Sequence, residues 1–255
     1  MSGILSFDLF LMRKKLSLYV CLLLPSAFIF LYAMFAGTSS CTLPELFSIS
    51  SIPILLCNSV FYAMFSGNDL KKGAIKNVAG SLPNRISYVL SKAAAMILYT
   101  MLSLGIAILT ALILSRGKMN EAFYSVYDDM PGLVSKIDAG EFILYAAIHL
   151  LLLIAFMFTV LFICVLTGSL SGTFTFSILY CSGMAAAVLY SLLELIMMKL
   201  DIECDFTKIS LSMQYHDLSL PLTPEMFRNA LIVGAAYILI FGVLSCVVFR
   251  RKDIA

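Results

Sequence analysis

Charge, histidine and tryptophan are all scarce in this chain of 255 residues. Only 13% of the residues are charged, two are histidine and none is tryptophan. Two histidines are too few for the clustered ligands of a membrane metalloprotease, and no His-Glu-x-x-His motif occurs. No Gly-x-x-x-x-Gly-Lys-Ser/Thr loop is present to hold ATP phosphates in the usual way. We therefore expect no catalytic centre, metal site or bound cofactor in this chain.

Apolar residues dominate instead. They make up 61% of the chain and give a mean hydropathy of +1.00, which a soluble domain cannot expose. Six runs are long enough to cross about 30 Å of hydrocarbon as helices. They lie at 16–35, 47–65, 88–114, 141–167, 173–198 and 229–249. The sequence thus predicts an all-α integral membrane protein with one transmembrane domain, residues 1–255. Because the chain has no tryptophan, we expect the aromatic anchors at the membrane interface to be Tyr19, Tyr32, Tyr62, Tyr88 and Tyr145.

The lysines and arginines are unevenly distributed over the predicted loops. With six spans, eleven of the seventeen lie on the side that holds both termini. Since such residues accumulate on the cytoplasmic side, we expect a multi-pass plasma-membrane protein with both termini in the cytoplasm. The net charge of +2 is too small to indicate a nucleic-acid partner.

The N-terminal residues 2–15 predict a helix before the first span. Ile4, Phe7 and Leu11 recur at helical spacing, and the basic run 13–15 follows. This pattern favours an elbow helix lying in the cytoplasmic interface. The alternative is that the first span begins early and has a basic flank.

The stretch NDLKKGAIKNVAGSLPNRISYVLSKAA, residues 68–94, carries five of the seventeen basic residues between two apolar runs. A helix over 69–81 has one apolar face and one basic face. The apolar face consists of Leu70, Ala74, Ile75 and Val78, and the basic face of Lys72 and Lys76. Such a helix suits either an anionic lipid surface or a groove on a soluble partner.

The order of residues in this basic segment resembles the type 2 family of ABC transporter permeases, which includes bacterial exporters and immunity permeases for antimicrobial peptides. The matching residues are Asp69, Lys72-Gly73-Ala74-Ile75-Lys76-Asn77, Gly80, Asn84-Arg85-Ile86-Ser87-Tyr88 and Ser91-Lys92. The six spans, the elbow and the cytoplasmic ends agree with the same family. Pro83 and Asn84 depart from its pattern, in which a small residue and serine are common there.

The resemblance implies a permease subunit of an ATP-driven exporter, with the segment between the second and third spans as its coupling helix. ATP and Mg²⁺ are then bound by a separate ATP-binding subunit, and a second permease copy or a sibling permease completes the transporter. The coupling residues would be Asp69, Leu70, Lys72, Gly73, Ile75, Lys76, Asn77, Val78 and Arg85. The implied substrate is peptide-like or amphipathic. From the residues alone, ordinary topology-setting lysines, an ATP-independent secondary transporter and a membrane anchor for a signalling partner remain alternatives.

A second candidate site joins His149 and Glu194. Glu194 is the only acid placed well inside a predicted span, where charge is costly. A tight hairpin near Leu170 brings both residues to a similar depth, and a polar spot on the substrate path is one interpretation. The other is that Glu194 reaches to the outer interface or caps structure near Lys199.

Five cysteines fall inside predicted spans without a ligand-like spacing, so we interpret them as small apolar residues. They are Cys21, Cys57, Cys164, Cys181 and Cys246. Cys41 and Cys204 lie in the predicted outer loops, where an oxidising compartment would permit a disulfide.

Overall fold

The structure, a computed structural model, describes residues 2–37, 41–71, 86–119, 137–184, 187–188, 190–191 and 208–251. Within these ranges the chain forms α-helices and no strand. The helices are α1 (Ser2–Lys14), α2 (Leu16–Ala36), α3 (Leu43–Lys71), α4 (Ile86–Ser115), α5 (Ala139–Thr167), α6 (Leu170–Cys181), α7 (Leu211–Asp217) and α8 (Pro224–Arg251).

Five of these helices, namely α2, α3, α4, α5 and α8, are long and apolar enough to cross a membrane. They correspond to five of the six predicted spans, so the prediction of a multi-pass, all-helical membrane protein is confirmed. The apolar part of α3 ends at Gly67, but the helix continues to Lys71 and so enters the basic segment.

The chain breaks between α1 and α2. Lys15 has extended backbone, with φ −85° and ψ 121°. The residues of the predicted elbow and the first long apolar helix are consequently separate helices, while the place of α1 in the cytoplasmic interface stays a prediction. α1 packs against α4 by burying Met12 and Asp8, while Phe7 and Phe10 stay about half exposed.

The predicted fifth span, 173–198, is not one continuous helix. α6 begins at Leu170 and ends at Cys181, and the chain turns at Ser182 and Gly183, where Gly183 has φ +76°. Twelve helical residues are about 18 Å long, too short to cross the hydrocarbon core. Glycine adopts a positive φ without steric cost, so Gly183 permits this break in the helix. The apolar composition of 173–198 gave no indication of the break.

The turn between α5 and α6 is a tight hairpin, as predicted for the sequence TGSLSGT. Gly168 ends α5 in the left-handed conformation and its N–H donates to the Cys164 carbonyl. Ser169 then caps α6 by accepting the N–H of Gly172 at 3.0 Å. Gly67 of α3 lies so close that a Cβ there would be 2.9 Å from Leu170 Cδ1. The hairpin is therefore fixed against the end of α3.

α3 lies at the centre of the bundle, in contact with α2, α4, α5 and α6. Its buried aromatic residues include Phe47 at one end and Phe65 at the other, each in a separate apolar cluster. Tyr62 and Tyr145 belong to these clusters and are at most 1% exposed. The prediction that they anchor the protein at the lipid interface is wrong, because helix packing has placed both inside the bundle.

Candidate functional site

A buried charge pair joins α1 to the first turns of α4. Lys92 Nζ lies 2.7 Å from Asp8 Oδ1, and the two side chains are only 1% and 3% exposed. The Ser91 hydroxyl donates to the other carboxylate oxygen, Oδ2, at 2.5 Å. With both oxygens in contact with donors, the Asp8 charge is compensated inside an apolar surrounding. α1 is thereby fixed to the helix that follows the basic segment.

The lysine of this ion pair also lies over an aromatic ring. Lys92 Nζ lies 4.0 Å from the centre of the Phe65 ring of α3, and Lys15 Nζ lies 4.9 Å from the same ring. A cation over a ring face is attracted by the ring quadrupole, and more so away from water. Two lysines from separate parts of the chain thus contact one phenylalanine near the end of the apolar part of α3.

The first turn of α4 also contacts the last helix. Tyr88 stacks on Phe249 of α8 with 5.3 Å between ring centres and 16° between planes. The group formed by Asp8, Lys92, Ser91, Phe65 and Tyr88 with Phe249 is called the elbow junction below. At this junction α1, α3, α4 and α8 meet.

The structure describes only two of the predicted coupling residues. Asp69 and Leu70 belong to the last turn of α3. The other predicted contact residues, Lys72, Gly73, Ile75, Lys76, Asn77, Val78 and Arg85, lie outside the described residues. The coupling helix therefore stays a prediction, but its two flanking helices, α3 and α4, both contribute to the junction.

The side chain of Lys92 lies inside the helix bundle, which its position in the sequence did not indicate. Lys92 is one of the eleven basic residues assigned from the sequence to the cytoplasmic side, yet its side chain is buried. The pairing with Asp8 could not be read from the sequence because 83 residues separate Asp8 from Ser91. The one indication in the sequence was Asp8, an acidic residue among the apolar residues of the predicted elbow helix.

At the opposite end of the bundle, His149 is enclosed by aromatic rings. Its ring centre lies 5.4 Å from that of Phe47, 4.4 Å from that of Tyr145 and 5.1 Å from that of Tyr215. Its Nδ1 is 3.2 Å from the Tyr145 carbonyl, one turn earlier in α5. In this conformation His149 is thus a packed core residue. Glu194 lies outside the described residues, so the predicted pair stays a prediction.

The short helix α7 closes the broken end of α6. The Ser212 hydroxyl donates to the Tyr180 carbonyl at 3.1 Å, and His216 Nε2 lies 3.1 Å from the Cys181 carbonyl. Both acceptors belong to the last turn of α6, and the Tyr180 carbonyl also accepts from the Gly183 N–H at 3.2 Å. The Tyr215 hydroxyl also donates to the Ser51 carbonyl of α3 at 2.8 Å.

α7, at Leu211–Asp217, is ordered structure shortly before the last long helix. The roles of Ser212 and His216 were missed. The indication in the sequence was Gly183: a glycine inside an apolar run can end a helix, and the carbonyls at a helix end need hydrogen-bond donors.

The described cysteines carry free thiols, including Cys41, whose Sγ lies 3.5 Å from the Gly37 carbonyl. Cys204 lies outside the described residues. Among the residues described, no three His, Cys, Asp or Glu side chains lie together as metal ligands would.

Neither the models of known protein families nor the curated proteins give a match to this chain. The type 2 permease resemblance accordingly stays an interpretation of the basic segment and of the helix layout.

Proposed function

We propose that this chain is the membrane-spanning permease subunit of an ATP-driven ABC exporter, whose ATP and Mg²⁺ are bound by a separate ATPase subunit. The observation that carries the proposal is the buried contact between Asp8 and Lys92 at the start of α4. The basic segment 72–85 joins the bundle at this point, between Lys71 and Ile86.

The elbow junction is suited to pass a force from the segment to several helices at once. A displacement at Ile86 reaches Lys92 within two helical turns, and Asp8 then carries it to α1. Tyr88 carries it to α8 through the stacked ring of Phe249. Because these contacts are buried and closely packed, they transmit motion instead of absorbing it. A partner closing on segment 72–85 would thus move α1, α4 and α8 together.

In this proposal the elbow junction is at the cytoplasmic end, and α1 lies in the membrane interface. The outer face of α1 combines Phe7 and Phe10 with Arg13 and Lys14, and Lys14 Nζ lies 4.4 Å from the centre of the Phe10 ring. Aromatic and basic side chains on one helix face suit the level of lipid headgroups. A second permease copy or a sibling completes the transporter.

The proposed cargo is a peptide-like or amphipathic molecule. The two loops predicted on the outer side, at 116–140 and 199–228, carry more acids than bases and would attract cationic groups near the exit.

The test is capture of the tagged protein from its native membrane in mild detergent, followed by mass spectrometry. We expect an ATP-binding subunit to accompany the wild type and to be lost from the double variant Ile75→Asp, Lys76→Glu. Lys118→Glu is the control, because it makes the same lysine-to-glutamate change after α4 at the opposite end of the bundle. If no ATPase accompanies the wild type, or if the double variant retains it, the proposal fails.

An ATP-independent secondary transporter is the second candidate, and the break in α6 favours it. Transporters of that class bind substrate or ions at interrupted helices near the bilayer midplane. Here the carbonyls of Tyr180 and Cys181 already contact Ser212 and His216, so in this conformation they are not available to an ion. Transport into proteoliposomes that contain no ATPase, driven by a Na⁺ or proton gradient, would favour this candidate over the first.

A further inference from the structure

Polar side chains form two contacts, one helical turn apart, along the interface between α3 and α4. The Ser66 hydroxyl lies 3.4 Å from the Met96 sulfur, and the Tyr62 hydroxyl is hydrogen-bonded to that of Thr100. Thr100 donates its own proton to the Met96 carbonyl at 2.8 Å, so Tyr62 is the donor in the pair. The two contacts fix the antiparallel register of α3 and α4.

The next turn continues this register to Asn58 on α3 and Ser103 on α4. Asn58 precedes Tyr62 by four residues and Ser103 follows Thr100 by three, so each shares the face of the residue before it. Both are buried, at 0% and 1% exposure. Both stand near the middle of helices whose apolar spans cover 43–67 and 86–115.

Neither side chain has a hydrogen-bond partner within the described part of the protein. This holds for Asn58 Nδ2, Asn58 Oδ1 and Ser103 Oγ. The antiparallel register of the two contacts puts both residues at the same level, and they are not hydrogen-bonded to each other. Leaving a buried amide without a hydrogen-bond partner in an apolar interior is energetically costly.

We infer that an internal water molecule binds between Asn58 and Ser103 and forms the third polar contact of this interface. Water can accept from Asn58 Nδ2 or donate to Asn58 Oδ1 while it also pairs with the Ser103 hydroxyl. A buried water with two to four polar partners is a normal structural component.

The residues select water over an ion. α4 contains no Asp or Glu, and α3 has none between Glu45 and Asp69. A cation at this depth would remain uncompensated, which is costly in a membrane. The ligand is therefore neutral, small and able both to donate and to accept.

Radiolytic labelling of the full-length protein in lipid nanodiscs tests the inference, because hydroxyl radicals formed from a bound water oxidise the side chains next to it. Tyr62 is the reporter, since its side chain leans towards the start of α3 and hence towards Asn58. We expect Tyr62 to be labelled although it is fully buried. Labelling should fall several-fold in Ser103→Ala and in Asn58→Leu.

Thr159→Val is the matched control, because the Thr159 hydroxyl is equally buried but already donates to the Ala155 carbonyl at 3.0 Å. It should leave Tyr62 labelling unchanged. Ser103→Ala removes only one oxygen and keeps the test valid if Asn58→Leu fails to fold. Equal Tyr62 labelling in the wild type and Ser103→Ala, or no Tyr62 labelling in the wild type, would overturn the inference.

Discussion

Lys92 of α4 and Asp8 of α1 form an ion pair with 2.7 Å between Nζ and Oδ1, and neither side chain reaches solvent. Ser91 also contacts the carboxylate of Asp8, and the Phe65 ring lies under the ammonium of Lys92. Any motion that separates α1 from α4 must therefore expose or uncouple two charges in an apolar surrounding. The two helices should move as one unit.

Removing one member of this pair should destabilise the fold. We expect Lys92→Met or Asp8→Leu to lower the free energy of unfolding by about 3–5 kcal/mol, since each leaves a buried charge without its partner. The double variant Asp8→Leu, Lys92→Met should recover most of the loss. Thermal unfolding of the purified protein in one detergent measures all three.

Glu225→Gln is the control for the ion pair, because Glu225 and Lys208 lie 3.5 Å apart but are 61% and 55% exposed. Exposed pairs contribute about 1 kcal/mol or less. If Lys92→Met is as stable as Glu225→Gln, the elbow junction does not hold α1 in place.

Gly67→Ala should disturb the contact between α3 and the α5–α6 hairpin. The new Cβ would lie 2.9 Å from Leu170 Cδ1 and 3.1 Å from Leu170 Cα, and the second of these is backbone that cannot rotate away. We expect a destabilisation of about 1–3 kcal/mol, measured by thermal unfolding. Gly105→Ala is the matched control in α4, where a Cβ meets nothing within 4 Å. That control should be neutral or stabilising by up to about 1 kcal/mol, and equal effects of both changes would contradict the close approach.

Loss of the α7 contacts should open the end of α6. In a variant that keeps Cys181 as its only cysteine, we expect Ser212→Ala with His216→Phe to raise the rate of Cys181 modification several-fold. The physical reason is that the carbonyls of Tyr180 and Cys181 lose the contacts that hold α7 against the end of α6, the helix end at which Cys181 is buried.

Ser219→Ala is the control for this experiment, since Ser219 is exposed and follows α7 outside the contact. Cys181 modification that stays as slow in the double variant as in this control would show that α7 is held by other contacts.

The rate at which the Cys41 thiol reacts should rise with pH only above the range in which an ordinary cysteine ionises. Burial, and secondarily the Glu45 carboxylate, raise the pKa of the Cys41 thiol above its ordinary value. The thiol is thus protonated at pH values where a free cysteine has begun to ionise, and modification by a small methanethiosulfonate should be slow there. Glu45→Gln should shift the rate profile to lower pH, as measured in a variant that keeps only Cys41. A profile that does not move on this change would exclude a contribution from Glu45.

Hydropathy was sufficient to predict five long helices, because the length of an apolar run reflects the thickness of the bilayer. It failed at 173–198, where Gly183 interrupts a run whose composition alone is that of a continuous span. It also failed for Tyr62 and Tyr145, since burial between helices and exposure to lipid both select apolar or aromatic residues. Hydropathy therefore reports depth in the membrane better than it reports the direction of a side chain.

The elbow junction shows a different limit. The elbow helix was predictable from the spacing of Phe7 and Leu11, but its attachment depends on Asp8 and Lys92, which lie far apart in the chain. Only packing of α1 against α4 brings the two charges together. The Ser212 and His216 contacts to α6 are long-range in the same way, with 32 and 35 residues between partners.

Asp8 and Ser91 are 83 residues apart in the sequence, so Asp8 is synthesised well before its partners in α4. When α1, α2 and α3 have left the ribosome, Asp8 has no ammonium to meet, and α1 gains its partner only after α4 has emerged. Assembly of the amino-terminal helix is thus delayed until the third long helix is inserted. A nascent chain arrested before Lys92 should leave α1 open to protease, whereas one arrested after α4 should protect it.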